Sequence, residues 1–187
     1  MTRFNTQLVH GLPVNDNNTG AVNPPIYNSS TYAVESVNAM PRWDYARSGN
    51  PTRDFLEKQI AQLEHGTRGF AFASGLAAIH AVLSIFKPGD RIVVGKNIYG
   101  GTFNLLKHTL PRDGITTTFV DPEVPQNFED AIQENTKLVY FETFGNPNAD
   151  LPDFEAITAI AHKHHLPVIV DNTFATPYLF RPLEHGA

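Results

Sequence analysis

The 187-residue sequence contains no cysteine. It can therefore form no disulfide bond, and it offers neither a thiolate metal ligand nor a thiol nucleophile. Long apolar runs are missing too, because no stretch reaches the length of a signal-peptide core or of a membrane span. The formal net charge of −5 gives no excess of the basic residues that nucleic-acid binding favours. We expect a cytoplasmic protein that binds neither nucleic acid nor a membrane.

The common nucleotide-binding patterns are absent as well. Neither GxGxxG nor a Walker A sequence occurs, which weakens the dinucleotide and P-loop interpretations. His162, His164 and His165 lie at the end of a predicted helix, where a cation suits the negative end of the helix dipole. No carboxylate or cysteine follows them at metal-ligand spacing, so we predict no metal site.

The first fifty residues are irregular but rich in aromatic side chains. A disordered tail rarely carries residues such as Tyr27, Tyr32, Trp43 and Tyr45 within so short a distance. We predict an extended N-terminal arm over residues 1–51 that packs on its own domain or on a neighbouring subunit. One domain is expected over residues 52–187, since this length suffices for a single sizeable core.

From Thr52 onward, the sequence predicts helices and strands in alternation. A first helix extends from about residue 52 to a stop at Gly66. Strands are predicted at 69–73, 91–95, 116–120, 138–142 and 167–170, with helices near 75–86, 102–110, 127–134 and 153–164. Such alternation implies an α/β fold with a mostly parallel sheet sandwiched by helices. Ligands of such sheets bind outside the carboxyl ends of the strands.

One candidate site follows the predicted strand at 69–73. Ser74 is a good N-cap, and the free amides of Gly75 and Leu76 at a helix N-terminus would bind an anion such as phosphate. A well-capped helix without any ligand has the same pattern, and on this motif alone it is the favoured interpretation.

Other polar residues come at the ends of the following strands. Tyr99, beside two glycines, could place its ring against a planar ligand or belong to the core. Glu142 ends an apolar strand with Asn146 in the turn behind it, and Asp171 follows the last strand. Each signal alone is weak, but their convergence on one edge predicts a site. A phosphotransferase with Asp171 as nucleophile or metal ligand remains an alternative.

The predicted arm carries a second anion-binding candidate. Arg47 could hold a phosphate through two parallel hydrogen bonds, and the hydroxyl of Tyr45 could add a third. The alternative is a surface turn with a solvated arginine.

Taken together, these segments resemble a known enzyme family. YARSGNPT, SGLAAIHA, NIYGGT, FETFGNPN and VDNTFATPYLFRPLEHGA, in this order, are similar to the Cys/Met-metabolism family of pyridoxal-phosphate enzymes. The resemblance extends from about Phe4 to Ala187. It implies an aspartate-aminotransferase-like (fold type I) cofactor domain, here truncated, with an extended N-terminal arm.

The resemblance also implies how the cofactor phosphate is held. Gly75 and Leu76 would bind it through their backbone amides. Tyr45 and Arg47 would reach it from the neighbouring subunit of a homotetramer built as a dimer of dimers.

For the cofactor ring, the resemblance implies three further contacts and one supporting residue. Tyr99 would stack on the pyridine ring and take part in proton transfer. Asn146 would contact the 3-hydroxyl oxygen, and Asp171 would pair with the ring nitrogen, while Glu142 supports the pocket from behind. Tyr99 and Asp171 are therefore the expected catalytic residues.

The activity implied is pyridoxal-phosphate-dependent sulfur amino-acid metabolism. We expect C–S elimination of the cystathionine β/γ-lyase type, as in transsulfuration; γ-replacement of the cystathionine γ-synthase or O-acetylhomoserine sulfhydrylase type is the alternative. Family members continue into a Ser-x-Thr-Lys segment whose lysine forms a Schiff base with the cofactor. No lysine here has that context, so a non-catalytic N-terminal fragment is a further alternative. The lysines are Lys58, Lys87, Lys96, Lys107, Lys137 and Lys163.

Overall fold

The computed structural model describes residues 3–12 and 18–187. The chain divides into two compact units, Met1–Ala71 and Phe72–Ala187. Residues 1, 2 and 13–17 of the predicted arm lie outside the described residues, and its boundary at residue 51 remains a prediction. Within the described part of the chain, no helix is long and apolar enough to span a membrane.

The described part of the first unit contains two helices. Helix α1 (Phe4–His10) was not expected from the sequence; it is short, and none of its residues is buried. Helix α2 (Pro51–Leu63) confirms the helix predicted from Thr52. The side chain of Asn50 caps it, because Oδ1 accepts the backbone N–H of Thr52 at 2.8 Å.

The aromatic-rich segment before α2 is anchored within the same unit. Thr31 and Tyr45 form an isolated antiparallel bridge. Asn50 Nδ2 donates to the hydroxyl of Tyr32 at 3.2 Å, and the N–H of Tyr27 donates to Thr52 Oγ1 at 2.9 Å. These contacts hold the arm on the start of α2 despite its irregular backbone.

The second unit contains a four-stranded parallel sheet with the strand order β2-β1-β3-β4. The strands are β1 (Arg91–Gly95), β2 (Thr116–Val120), β3 (Thr136–Glu142) and β4 (Val168–Asp171). The helices are α3 (Gly75–Leu83), α4 (Gly100–Asn104), α5 (Gln126–Ala131), α6 (Phe154–Lys163) and α7 (Thr176–Leu179). Helix α4 continues through a π-helical turn, Leu105–Thr109, into a 3-10 turn, Leu110–Asp113, and a second 3-10 turn covers Pro182–His185.

The predicted α/β class with a parallel sheet is confirmed, but the strand expected at 69–73 is wrong. Among the described residues this segment pairs with no strand. The N–H of Ala71 donates to the Glu57 carboxylate at 3.0 Å instead of to a ladder. Phe70 and Phe72 remain 64% and 47% exposed. Its apolar residues therefore matched a strand pattern without a neighbouring strand to accept their hydrogen bonds.

The sheet separates two apolar cores, one on each face. Alternation along β1 and β3 sends successive side chains to opposite faces. One core contains Ile92, Val94, Leu138 and Tyr140, and the other contains Val93, Val139, Phe141 and Val168. Because both faces of β3 are covered by apolar cores, polar side chains are accommodated at its carboxyl end.

The register of β3 and β4 sets the geometry of that edge. Glu142 is the partner of Asp171, and Tyr140 is the partner of Ile169 two positions earlier. Side chains two residues apart on a strand share a face. Tyr140, Glu142 and Asp171 therefore lie on the same face, at the carboxyl end of the sheet.

Candidate functional site

A cavity of about 410 Å³ opens at the carboxyl ends of the strands, where the fold class predicts a ligand site. Its walls belong entirely to the second unit. The cavity brings together all the site residues predicted for this unit. Those are Gly75, Leu76, Tyr99, Asn146 and Asp171, joined by Glu142.

The N-terminus of α3 forms one wall. Ser74 Oγ accepts the N–H of Ala77 at 3.1 Å, as expected for an N-cap. The amides of Gly75 and Leu76 belong to the first turn and therefore have no intrahelical acceptor. A Cβ at Gly75 would meet nothing within 4 Å, so the glycine leaves open space over these amides. The wall can approach an anion closely.

Tyr99 forms a second wall, directly before α4. Its side chain is 52% exposed and lines the cavity, so the alternative of a core tyrosine is wrong. A Cβ at Gly101 would lie 2.4 Å from Tyr99 Cε1. The missing side chain at Gly101 is what allows the ring to take this position.

Glu142 connects the end of β3 to the loop that carries Tyr99. Its Oε1 accepts the backbone N–H of Tyr99 at 2.8 Å, and the residue is only 7% exposed. Burial raises the pKa of Glu142 to about 7; the Tyr99 N–H opposes this shift, and the charge of Asp171 adds to it. Glu142 therefore changes charge near neutral pH.

Asp171 lies at the end of β4, inside the strand by one residue more than predicted. Its Oδ1 accepts two hydrogen bonds from Thr173, from the N–H at 3.0 Å and from the hydroxyl. The next residue fixes the rim, because Asn172 accepts from Thr143 Oγ1 at 2.7 Å and donates to the carbonyl of Phe180 at 2.8 Å. This network orients the carboxylate and leaves Oδ2 for another donor.

Asn146 lies in the loop after β3. Its N–H donates to the carbonyl of Asn97 at 3.3 Å, and Asn97 Nδ2 donates to Asp150 at 2.8 Å. The N–H of Gly145 donates to the carbonyl of Asp150 at 2.9 Å. Within the described part of the chain, the side-chain amide of Asn146 makes no hydrogen bond, so it is available to a ligand.

Tyr45 and Arg47 lie in the first unit. The guanidinium carbon of Arg47 is 5.1 Å from the centroid of the Tyr45 ring, a cation–π arrangement, and both side chains are exposed. Their part in a phosphate site remains a prediction.

Two buried hydroxyls near the site were missed in the sequence. Tyr140 and Thr102 are 1% and 0% exposed. Tyr140 precedes Glu142 by two residues, and strand alternation could have placed both on one face. Thr102 carried no such signal, because its position depends on how α4 packs.

The described residues contain no cluster of three or more histidines and carboxylates that could hold a metal ion. At the end of α6, His164 Nε2 lies 2.8 Å from Glu129 Oε1, which also accepts from Lys163 at 2.7 Å. These partners give His164 and Lys163 a role in joining α5 to α6.

Comparison with known proteins gives a consistent result. The family model described as Cys/Met metabolism PLP-dependent enzyme matches residues 5–187. The cystathionine beta-lyase of Lactococcus lactis subsp. cremoris is 48% identical over 100% of this chain and 49% of its own length. The cystathionine gamma-lyase of Bacillus subtilis is 43% identical over 97% of this chain and 48% of its own length.

A solved structure agrees with these sequence matches. The crystal structure of cystathionine gamma-lyase from Lactobacillus plantarum, complexed with L-serine, superposes with a TM-score of 0.94 at 46% identity. The match covers 100% of this chain and 49% of that one, so the chain spans about half the length of the relatives it matches. The chain belongs to the Cys/Met metabolism family of PLP-dependent enzymes, whose cofactor is pyridoxal 5′-phosphate.

Proposed function

We propose that the cavity at the carboxyl ends of the strands binds pyridoxal 5′-phosphate for sulfur amino-acid chemistry. The observation that carries this proposal is that a helix N-terminus with free amides and a carboxylate line one cavity. The cofactor has a phosphate at one end and a ring nitrogen that binds a proton. The residues present therefore suit both ends of this molecule.

The phosphate belongs at the N-terminus of α3. Gly75 and Leu76 have first-turn amides without intrahelical acceptors, and the positive end of the helix dipole favours an anion. The cap by Ser74 stabilises the first turn without using these two amides, because its acceptor oxygen is taken by Ala77. The open space over Gly75 allows the phosphate to approach the backbone.

Asp171 is assigned to the ring nitrogen. A protonated pyridine ring, when bound here, accepts electron density from the substrate's α-carbon. The role of Asp171 is to hold the proton on that nitrogen, because a carboxylate stabilises the charged ring. The two hydrogen bonds from Thr173 to Oδ1 orient the carboxylate for this contact.

Tyr99 and Asn146 are assigned to the ring face and to the 3-hydroxyl oxygen. The half-exposed Tyr99 ring lines the cavity as a flat wall, and Glu142 holds its backbone from behind. The amide of Asn146 lines the same cavity and can donate to an oxygen of the ring. Tyr99 also brings a hydroxyl that can exchange a proton near the reacting atoms.

For the whole protein we propose elimination at a C–S bond, of the cystathionine β/γ-lyase type. The support is that the curated relatives named above are lyases, while a homocysteine synthase from Schizosaccharomyces pombe, 43% identical over 98% of this chain, keeps the replacement alternative open. None of the chain's lysines, all of which the structure describes, lines the cavity. Binding through an imine is therefore not expected of these residues alone, and a non-catalytic role remains the second alternative.

The oligomer is part of the same proposal. Tyr45 and Arg47 would complete the phosphate site of a neighbouring subunit, within a dimer of dimers in the cytoplasm. An exposed guanidinium beside an exposed phenol is a ready anion-binding pair. Their location on the arm of residues 1–51 would allow them to serve a second copy of the chain.

Titration of the 187-residue chain with pyridoxamine 5′-phosphate tests the proposal. This form of the cofactor carries an amine and cannot form an imine with a lysine, so calorimetry measures only the non-covalent site. We expect one site per chain, with inorganic phosphate competing for it. Absence of binding, or binding that inorganic phosphate does not reduce, would contradict the proposed site.

A further inference from the structure

Two hydroxyl groups near the candidate site are buried without a hydrogen-bond partner in the part of the chain that the structure describes. Tyr140 Oη and Thr102 Oγ1 are buried and make no hydrogen bond of normal geometry among the described residues. Buried polar groups in proteins are almost always paired, and an exception calls for a functional explanation. The fold does not need the Tyr140 hydroxyl for packing, since its ring already fills the core beside Val94 and Leu138.

The position of Tyr140 places this hydroxyl near Asp171. Tyr140 is opposite Ile169 in the β3–β4 ladder, and Asp171 lies two residues further on the same face. Such diagonal neighbours are within reach of a long aromatic side chain. The side chain of Tyr140 therefore extends from the apolar core toward the Asp171 carboxylate.

The electrostatics agree with this placement. Burial is the largest cause that raises the pKa of Tyr140; the charges of Asp171 and Glu142 raise it further, and Thr102 lowers it. The phenol therefore keeps its proton throughout the neutral range. Tyr140 can act toward a carboxylate only as a hydrogen-bond donor.

We propose that Tyr140 is a positioning residue that donates its hydroxyl to the Asp171 carboxylate when the ring nitrogen of the cofactor engages it. Thr102 then donates its hydroxyl to Tyr140 Oη. Both hydroxyls are therefore hydrogen-bonded when the cofactor is bound. This inference rests on the proposed function, since it assumes that Asp171 meets the ring nitrogen. It adds a second anchor to the Thr173 hydrogen bonds on Oδ1.

The consequence is selectivity for the ring nitrogen. A donor behind the carboxylate orients it toward the ring nitrogen, which strengthens the contact with a protonated pyridine. It does nothing for the phosphate at the N-terminus of α3. Loss of the hydroxyl should therefore weaken recognition of the nitrogen but leave the phosphate contact unchanged.

The test compares two ligands of the 187-residue chain. One is pyridoxamine 5′-phosphate, and the other is its analogue with a carbon in place of the ring nitrogen. We expect wild type to prefer the first ligand, and Tyr140→Phe to reduce that preference by about tenfold. Thr102→Val should reduce it in the same direction but less. The affinity for inorganic phosphate should not change in either variant.

Tyr27→Phe, which removes a hydroxyl from a tyrosine of the first unit, is the control and should keep the wild-type preference. An unchanged preference in Tyr140→Phe overturns the inference, and so does an equal loss for both ligands, which a merely structural role would cause. If circular dichroism shows that Tyr140→Phe is misfolded, the ligand preference of Thr102→Val serves as the test instead. If wild type itself shows no preference, the proposed contact between Asp171 and the ring nitrogen fails instead.

Discussion

Glu142 and Asp171 face each other across the β3–β4 ladder, as register partners at the carboxyl end of the sheet. Two carboxylates in this position would repel each other if both were ionised, and Glu142 is the one that burial penalises. Glu142 also holds the backbone of Tyr99. The two residues therefore have different roles. Asp171 supplies the negative charge, and Glu142 supports the cavity wall that Tyr99 forms.

The first prediction concerns the pH dependence of stability. Glu142 has an ordinary pKa of 4.5 and a folded-state pKa of about 7. The folded protein therefore binds this proton more tightly, so its stabilising effect is full below about pH 4.5 and is lost as the pH rises through about 7. We expect the free energy of unfolding of wild type to fall by up to about 3 kcal/mol over this window relative to Glu142→Gln.

Urea unfolding of both proteins at about pH 5 and pH 8 measures this difference. Comparison with Glu142→Gln cancels the contributions of other groups, such as Glu129, whose pKa is lowered by hydrogen bonds from Lys163 and His164. Parallel pH profiles for the two proteins would show that Glu142 does not titrate in this range.

The second prediction concerns the charge of Asp171. Asp171→Asn keeps the shape of the side chain but removes the negative charge, so the ring nitrogen loses its counter-charge. We expect the affinity for pyridoxamine 5′-phosphate to fall about tenfold to a hundredfold, the range for a hydrogen bond to a charged group. Calorimetry measures the change. Asp113→Asn, at an exposed turn, should bind like wild type, and an equal loss there would point to a general charge effect.

The third prediction uses two adjacent glycines. In Gly101→Ala the new Cβ would overlap the ring of Tyr99 and push it out of place, whereas a Cβ at Gly100 would meet nothing within 4 Å. We expect Gly101→Ala to weaken binding of pyridoxamine 5′-phosphate by about fivefold to tenfold, the value of an aromatic contact, and Gly100→Ala to leave it unchanged. Tyrosine fluorescence follows the displacement. Equal effects of the two substitutions on binding would show that the position of the Tyr99 ring does not contribute to ligand affinity.

The fourth prediction concerns the cap of α3. Ser74→Ala removes the acceptor of the Ala77 N–H, which should cost about 1 kcal/mol of stability and let the first turn fray. The affinity for inorganic phosphate should fall with it. Ser84→Ala at the other end of the same helix removes a hydroxyl that donates to the carbonyl of Ala81, and it should leave phosphate binding unchanged. A phosphate affinity that is unchanged in Ser74→Ala would argue against the N-terminus of this helix as the anion site.

The fifth prediction tests whether the site is shared between subunits. Arg47→Ala and Asp171→Asn should each weaken cofactor binding, but for different halves of the site. If Arg47 reaches across to a neighbour, mixing the two variants under exchange conditions restores a fraction of intact sites. Calorimetry of the mixture measures the recovery, and sedimentation measures the oligomer. A mixture that binds no better than its components would place Arg47 outside the neighbour's site.

Much of the fold followed from local patterns. Apolar runs between turn residues predicted β1, β3 and β4, because a strand covered on both faces is rich in Val, Ile, Leu and Phe, and β2 was predicted at its Thr-rich segment, Thr116–Val120. The 69–73 segment has the same local character. It does not form a strand because a hydrogen-bonded ladder needs a neighbouring strand. The sequence of one segment does not say whether the tertiary structure supplies one.

The sequence by itself determined the parallel sheet and the polar residues Tyr99, Asn146 and Asp171 at or just after the carboxyl ends of its strands. Periodicity and chain order are local properties, and parallel strands bring their ends to one edge. Only the tertiary structure decided that Glu142 holds Tyr99 and is buried enough to titrate near pH 7. The same holds for the unpaired hydroxyls of Tyr140 and Thr102. Burial, register and pairing depend on segments far apart in the chain, and no local pattern encodes them.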